Sequence, residues 1–175
     1  MAALIYLVQT LLSLCLIAVL LRLLLQWSRA DFRNPLARSI VQITNPIIVP
    51  LRRLLPAIGR LDTASCVAVV AFALLQVAVV WLLSGLGPPP ALIWLRLAAT
   101  EILRTVLWTY FFAILIYALL SLIAPGTYSP AQGLLVSLCE PVLRPFRRVI
   151  PALGGLDWSP LWACIVIQML LILLP

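Results

Sequence analysis

The 175-residue chain has no histidine and no lysine, and only 10% of its residues are charged. Without histidine it lacks the commonest general base at neutral pH and the commonest nitrogen ligand for metals. Without lysine its cationic charge rests on 12 arginines, set against five acidic residues for a net +7. Soluble domains carry about a quarter charged residues, so this composition does not fit an ordinary water-soluble globule. Cysteine is sparse too. Cys15, Cys66, Cys139 and Cys164 form no CxxC pair, and three fall in or beside apolar runs. Zinc and haem-attachment patterns are therefore missing, and buried thiols in such runs act as small hydrophobes. No cofactor and no metal is expected.

What the chain has in excess is apolar surface: 65% of its residues, with a mean hydropathy of +1.18. It arrives in long runs, which predict an all-α integral membrane protein with four transmembrane helices. The spans are expected at about 3–25, 64–83, 105–124 and 158–174. The first run is too long for a signal-peptide core and lacks a small-residue cleavage pattern, so it reads as a retained anchor. Arg22, near its end, is expected to snorkel to the interface. The fourth run is short, since residues 161–174 give only about 21 Å of helix; Trp158 and Trp162 suit its interfacial end. Gln9, Gln76 and Gln168 are the amides inside the spans.

The arginines lie between or at the ends of these runs, which points to headgroups and topology rather than to nucleic acid. Residues 22–62 hold seven and residues 125–160 hold three, Arg144, Arg147 and Arg148, against Arg96 and Arg104 in the middle connection. The positive-inside rule then puts the first and third connections in the cytoplasm and both termini on the other side. Gly85 to Pro90 breaks the chain after the second span, and residues 92–103 form either an interfacial helix or an extension of the third span.

The first and third connections are copies of one another. Residues 34–62 align with 129–157 at a constant offset, and 11 of 29 positions are identical, among them Pro46/Pro141, Pro50/Pro145, Arg52/Arg147, Arg53/Arg148 and Asp62/Asp157. Two spans separate the copies, so the repeats are expected to be parallel, each a helix, an amphipathic connection and a helix. The first repeat covers 1–84 (connection 26–63), the second 105–175 (connection 125–157), and 85–104 is a Gly/Pro-rich linker.

Within the connection, Leu36, Ile40, Ile43 and Ile47 recur at helical spacing on one face. Pro46 and Pro141 are expected to kink or end these helices, with the double arginine following in a proline-bounded basic turn. Arg52, Arg53, Arg144, Arg147 and Arg148 are the candidates for binding anionic phospholipid or a partner. Asp62 and Asp157, just before the second and fourth spans, are candidates for a helix cap or an ion pair with the double arginine.

The run Glu140-Pro141-Val142-Leu143-Arg144-Pro145-Phe146-Arg147-Arg148, continuing to Asp157-Trp158-Ser159-Pro160, resembles the YggT family of small bacterial membrane proteins. The first copy departs from the family pattern at Asn45, Val49 and Arg60. The resemblance implies a multi-pass protein of the bacterial inner membrane, with links to osmotic stress in bacterial relatives. In plastid relatives it implies links to nucleoid distribution or cytochrome assembly. It carries no catalytic signature, and the residues offer no nucleophile–base set or phosphate loop. The expectation is a non-enzymatic scaffold or assembly factor that binds anionic phospholipid, a membrane-protein complex or further copies of itself. The alternative is a channel or transporter for ions or small osmolytes, should Gln9, Gln76 and Gln168 line a wet path.

Overall fold

The apolar runs fold as helices because lipid leaves the backbone no other partner than itself. The computed structural model describes residues 2–55, 62–83, 85, 90–123, 129–149 and 157–174. Among them are six helices and no strand: α1 (Ala2–Trp27), α2 (Pro35–Leu54), α3 (Thr63–Leu83), α4 (Ala91–Ile123), α5 (Pro130–Val149) and α6 (Ser159–Leu173). Three of them, α1, α3 and α4, are long and apolar enough to cross a membrane. At 15 residues α6 is about 22 Å long. Large apolar side chains are exposed along all four apolar helices, such as Tyr6, Leu82, Ile116 and Ile172. A water-soluble surface does not tolerate this, whereas lipid does.

Residues 92–103 take the second of their expected forms: they extend the third span, in one continuous helix of 33 residues. The expected ends at Pro46 and Pro141 are not found. Helix α2 runs through Pro46 and Pro50, and α5 through Pro141 and Pro145. Each proline removes one backbone bond, but the four prolines all occupy exposed positions. Their i, i+4 spacing keeps both losses on one outer side of each helix. The double arginines are accordingly the last helical turns of α2 and α5, not turns beyond them. Cationic side chains there complement the negative end of the helix dipole. Pro56 and Pro151, expected to bound the basic turns, lie outside the described residues, as do Gly59, Arg60, Gly154 and most of 85–90.

Local signals set the other boundaries. Arg29 adopts a left-handed φ of 54°, and the Ala30 N–H bonds the Leu25 carbonyl at 2.9 Å. This stops α1 in the Schellman manner, with Leu25 and Ala30 both buried. Asn34 caps α2 by accepting the Leu36 N–H at 2.9 Å, and Ser129 caps α5 by accepting that of Gln132 at 3.1 Å. A proline follows each cap at the first helical position, where its missing N–H costs nothing.

Two compact units result, residues 1–23 with 40–105, and residues 24–39 with 106–175. In the first, α3 meets the leading half of α4 through Ala73, Val77 and Ala98, flanked by Leu74, Trp81, Trp94 and Ile102. The small side chains allow close approach of the backbones, and Trp94 Nε1 donates to the Leu74 carbonyl at 3.1 Å. In the second, α5 packs on α6, and Asn34 Nδ2 donates to the Pro130 carbonyl at 2.6 Å.

Candidate functional site

Each amphipathic helix is tied to the apolar helices of its unit by a polar lock. In the first unit Asp62, one residue before α3, receives Arg52 in a bidentate bond. Arg52 Nε reaches Oδ1 at 3.2 Å, and a terminal guanidinium nitrogen reaches Oδ2 at 2.6 Å. Ser65 Oγ donates to the same Oδ2 at 2.7 Å. Arg22 of α1 completes the lock. One terminal nitrogen donates to Thr44 Oγ1 at 2.9 Å and Asn45 Oδ1 at 3.0 Å, while its Nε lies 3.9 Å from Asp62. Asp62 is 1% exposed and Arg22 is 4% exposed. Arg22 therefore does not snorkel outward as expected. The acceptors of α2 and the Asp62 carboxylate provide, inside the protein, the partners that water or headgroups would otherwise supply.

The second unit repeats the arrangement with different chemistry. Arg147 Nε donates to Asp157 Oδ2 at 3.0 Å, and its terminal nitrogens donate to Glu140 Oε2 at 2.6 Å and to the Tyr117 hydroxyl at 3.0 Å. Asp157 forms the expected ion pair, and its other oxygen accepts the Ser159 N–H at 2.9 Å from one residue before the N-cap position. Helix α6 opens with Ser159-Pro160 behind Trp158 as N-cap, the proline lying in the first turn, where its missing N–H costs nothing. Asp62 is an ion-pair residue, and its backbone carbonyl accepts the first helical bond, from Cys66, at 3.0 Å. The repeat offset carries Arg22 onto Tyr117 and Asn45 onto Glu140. The first lock thus has two guanidiniums on one carboxylate and the second has one guanidinium on two carboxylates. Sequence reading missed Arg22 and Tyr117, which lie outside the aligned stretch; extending the same offset into the preceding helix finds both.

The electrostatics follow from this geometry. Burial pushes the Asp62 carboxyl up, but bonds from Arg52 and Ser65 and the charges of Arg52 and Arg22 outweigh it and hold the pKa below its ordinary value. The Asp62 hydrogen bond raises the Arg52 pKa. At Asp157, burial is likewise outweighed by Ser159 and Arg147, and the net shift is downward. A carboxylate with a lowered folded pKa stabilises the fold at neutral pH, and loses that contribution as pH falls through about 4 and below. Corrected for intrinsic rates, amide exchange across residues 40–54 is expected to accelerate between about pH 5 and pH 3. Unchanged protection over that range counts against the lock.

The five arginine candidates divide accordingly. Arg52 and Arg147 are engaged in ion pairs, Arg52 with 48% of its side chain still exposed; Arg53, Arg144 and Arg148 are exposed as well. The amides divide as well. Gln168 is exposed, Gln9 is half-buried, and Gln76 is buried. Gln76 Nε2 donates to Ser13 Oγ at 3.0 Å and Glu101 Oε1 at 3.3 Å. With α4 starting at Ala91, Glu101 falls within the helix that supplies the third span. Buried Cys139 has its thiol pKa pushed up to about 12 by desolvation, which keeps it protonated and unreactive.

Apolar helices of spanning length and amphipathic helices locked to them by an Arg–Asp pair define a helical membrane protein built on a repeat. Comparison with known proteins places it further: the CCB3/YggT family model matches residues 1–83 and 97–175, and the chain belongs to that family. It is similar to the uncharacterized protein PA0392 of Pseudomonas aeruginosa, with 43% identity over 96% of this chain and 86% of that one. It is also similar to the uncharacterized protein YggT of Escherichia coli, with 35% identity over 92% of this chain and 83% of that one. A Vibrio alginolyticus protein described as in the proC 3′ region is 37% identical over 93% of this chain and 88% of its own. No solved structure matches.

Proposed function

We propose that the protein is a non-enzymatic scaffold or assembly factor of a bacterial cytoplasmic membrane, presenting α2 and α5 at the cytoplasmic lipid interface. One observation carries this reading. The equivalent arginines 52 and 147 are each held on a carboxylate of their own unit, while Arg53, Arg144 and Arg148 are exposed with no such carboxylate among the described residues. A purely topogenic charge has no need of a fixed partner; a surface held in register for headgroup phosphates or an acidic protein does. Helix α2 has three faces that suit the role. Ala37, Thr44 and Ile48 are buried, Leu36, Ile43 and Leu54 form an exposed apolar stripe, and Arg38 and Arg53 lie on the remaining exposed side. Apolar residues beside arginines are the combination that lies in a membrane interface.

In this reading α6 makes a fourth crossing, with local thinning of the bilayer to meet its length. The two repeats are parallel, both termini face away from the cytoplasm, and the partners are anionic phospholipid and a membrane-protein complex or a second copy. The test is lipid preference in mixed micelles. Reversing Arg53, Arg144 and Arg148 to glutamate removes attraction of about 1 kcal/mol per arginine. The affinity for phosphatidylglycerol is then expected to fall at least about tenfold, with phosphatidylcholine unaffected. A variant that keeps the full phosphatidylglycerol preference sinks the reading. The transport alternative draws its support from a different observation, the buried Gln76 and its acidic neighbour.

A further inference from the structure

We infer that the second unit binds one phospholipid with a primary-ammonium headgroup, of the phosphatidylethanolamine type. Its acyl chains occupy a groove between α4 and α6, and its headgroup lies on the Arg147 lock. The groove has a volume of about 950 Å³, and its walls are largely apolar, with Trp108, Phe111, Leu115, Leu161 and Ile165 among them. Small-ligand sites run to about 1,000 Å³. Along α4 the groove extends from Trp108 to Leu122, about 21 Å of helix. One bilayer leaflet offers about 15 Å of hydrocarbon, so the groove reaches as far as one lipid molecule does. A partner helix crossing both leaflets needs about 30 Å. The inference rests on the proposed reading only in placing α6 across the membrane and α5 at its cytoplasmic face.

The headgroup end follows from charge. Asp157 and Tyr117 belong to the groove wall, and Arg147 donates to both at 3.0 Å. Arg147 also donates to Glu140 at 2.6 Å. Two carboxylates on one guanidinium leave a negative charge over, and they are 41% and 47% exposed. Each keeps lone pairs for the N–H groups of an ammonium, which make charge-assisted bonds. Arg144 lies one helical turn from Glu140, and Arg148 one turn beyond it, on the same strip of α5. Both are exposed and suit the lipid phosphate. Carboxylates beside arginines thus match a zwitterion. Phosphatidylglycerol brings no cation for the carboxylates, and the choline nitrogen of phosphatidylcholine carries no N–H. The first unit lacks the pattern: Asn45 stands in the place of Glu140, and Asp62 is 1% exposed.

The test is binding of radiolabelled phosphatidylethanolamine to the delipidated full chain in detergent micelles, with folding verified by circular dichroism. Saturable binding of about one lipid per chain is expected. Unlabelled phosphatidylethanolamine is expected to displace it at least about tenfold better than phosphatidylcholine or phosphatidylglycerol of the same acyl chains. Glu140→Gln and Asp157→Asn are each expected to weaken it about fivefold or more. Ala118→Trp, which fills the groove, is expected to abolish it. Glu140→Gln is isosteric and leaves Asp157 on Arg147, so it decides the matter if Ala118→Trp does not fold. Folded wild-type protein without saturable binding, equal displacement by all three lipids, or binding untouched by Glu140→Gln overturns the site. Arg53→Glu, in the first unit, is expected to leave it unchanged. Failure here leaves the phosphatidylglycerol preference, and the scaffold reading with it, standing.

Discussion

Asp62→Ala is expected to destabilise the first unit by about 3–5 kcal/mol, since it strands buried charge rather than merely deleting a bond. The Asp62 carboxylate accepts from Arg52 and Ser65 and faces Arg22, itself buried. Removing the acid leaves Arg22 with only neutral acceptors on α2. Adding Arg22→Leu to the variant is expected to recover part of the loss, because the stranded charge goes with it. The equivalent change at Asp157 is expected to cost about 1 kcal/mol or less. Asp157 is 41% exposed, and Glu140 remains on Arg147 when it is gone. Denaturant titration of the purified protein in micelles measures all three variants. Equal losses at positions 62 and 157 contradict the asymmetry of the two locks.

Ile48→Ala and Leu143→Ala come next in size, at about 2–5 kcal/mol each from lost burial and the cavity left behind. These residues occupy equivalent positions in α2 and α5, and both are fully enclosed. Their loss is expected to loosen the amphipathic helix from its unit and to speed tryptic cleavage after Arg52 or Arg147. Leu36→Ala and Ile43→Ala, on the exposed stripe of α2, are expected to change stability by about 0.5 kcal/mol or less. If cleavage rates respond equally to both pairs, the assignment of buried and lipid-facing sides is wrong.

Much of this was legible in the residues. Three of the four expected spans, the repeat and the Arg–Asp pairing follow from local rules: runs long enough for a bilayer, a constant offset, and an acid placed ten residues beyond an arginine. The ion pairs at Asp62 and Asp157 were foreseeable because the cap position and the double arginine flank one short connection. The fate of Pro46 and Pro141 was not. A proline ends a helix only where the freed carbonyl has no alternative, and whether it points outward depends on which side of the helix the rest of the unit covers. Arg22 misled for a similar reason. A lone arginine near the end of an apolar run ordinarily reaches for the interface, and the acceptors Thr44 and Asn45 are brought to it only when α2 folds back on α1.

The sequence by itself determined that this is a helical membrane protein with two related basic segments, since hydropathy, helical period and repetition are properties of neighbouring residues. Tertiary structure alone decided which arginines are held on carboxylates within the fold. It also decided that Glu101 meets Gln76, and that one lock carries an extra buried cation where the other carries an extra acid. Those outcomes depend on side chains from three separate helices arriving at one point, and local sequence rules carry no information about such meetings.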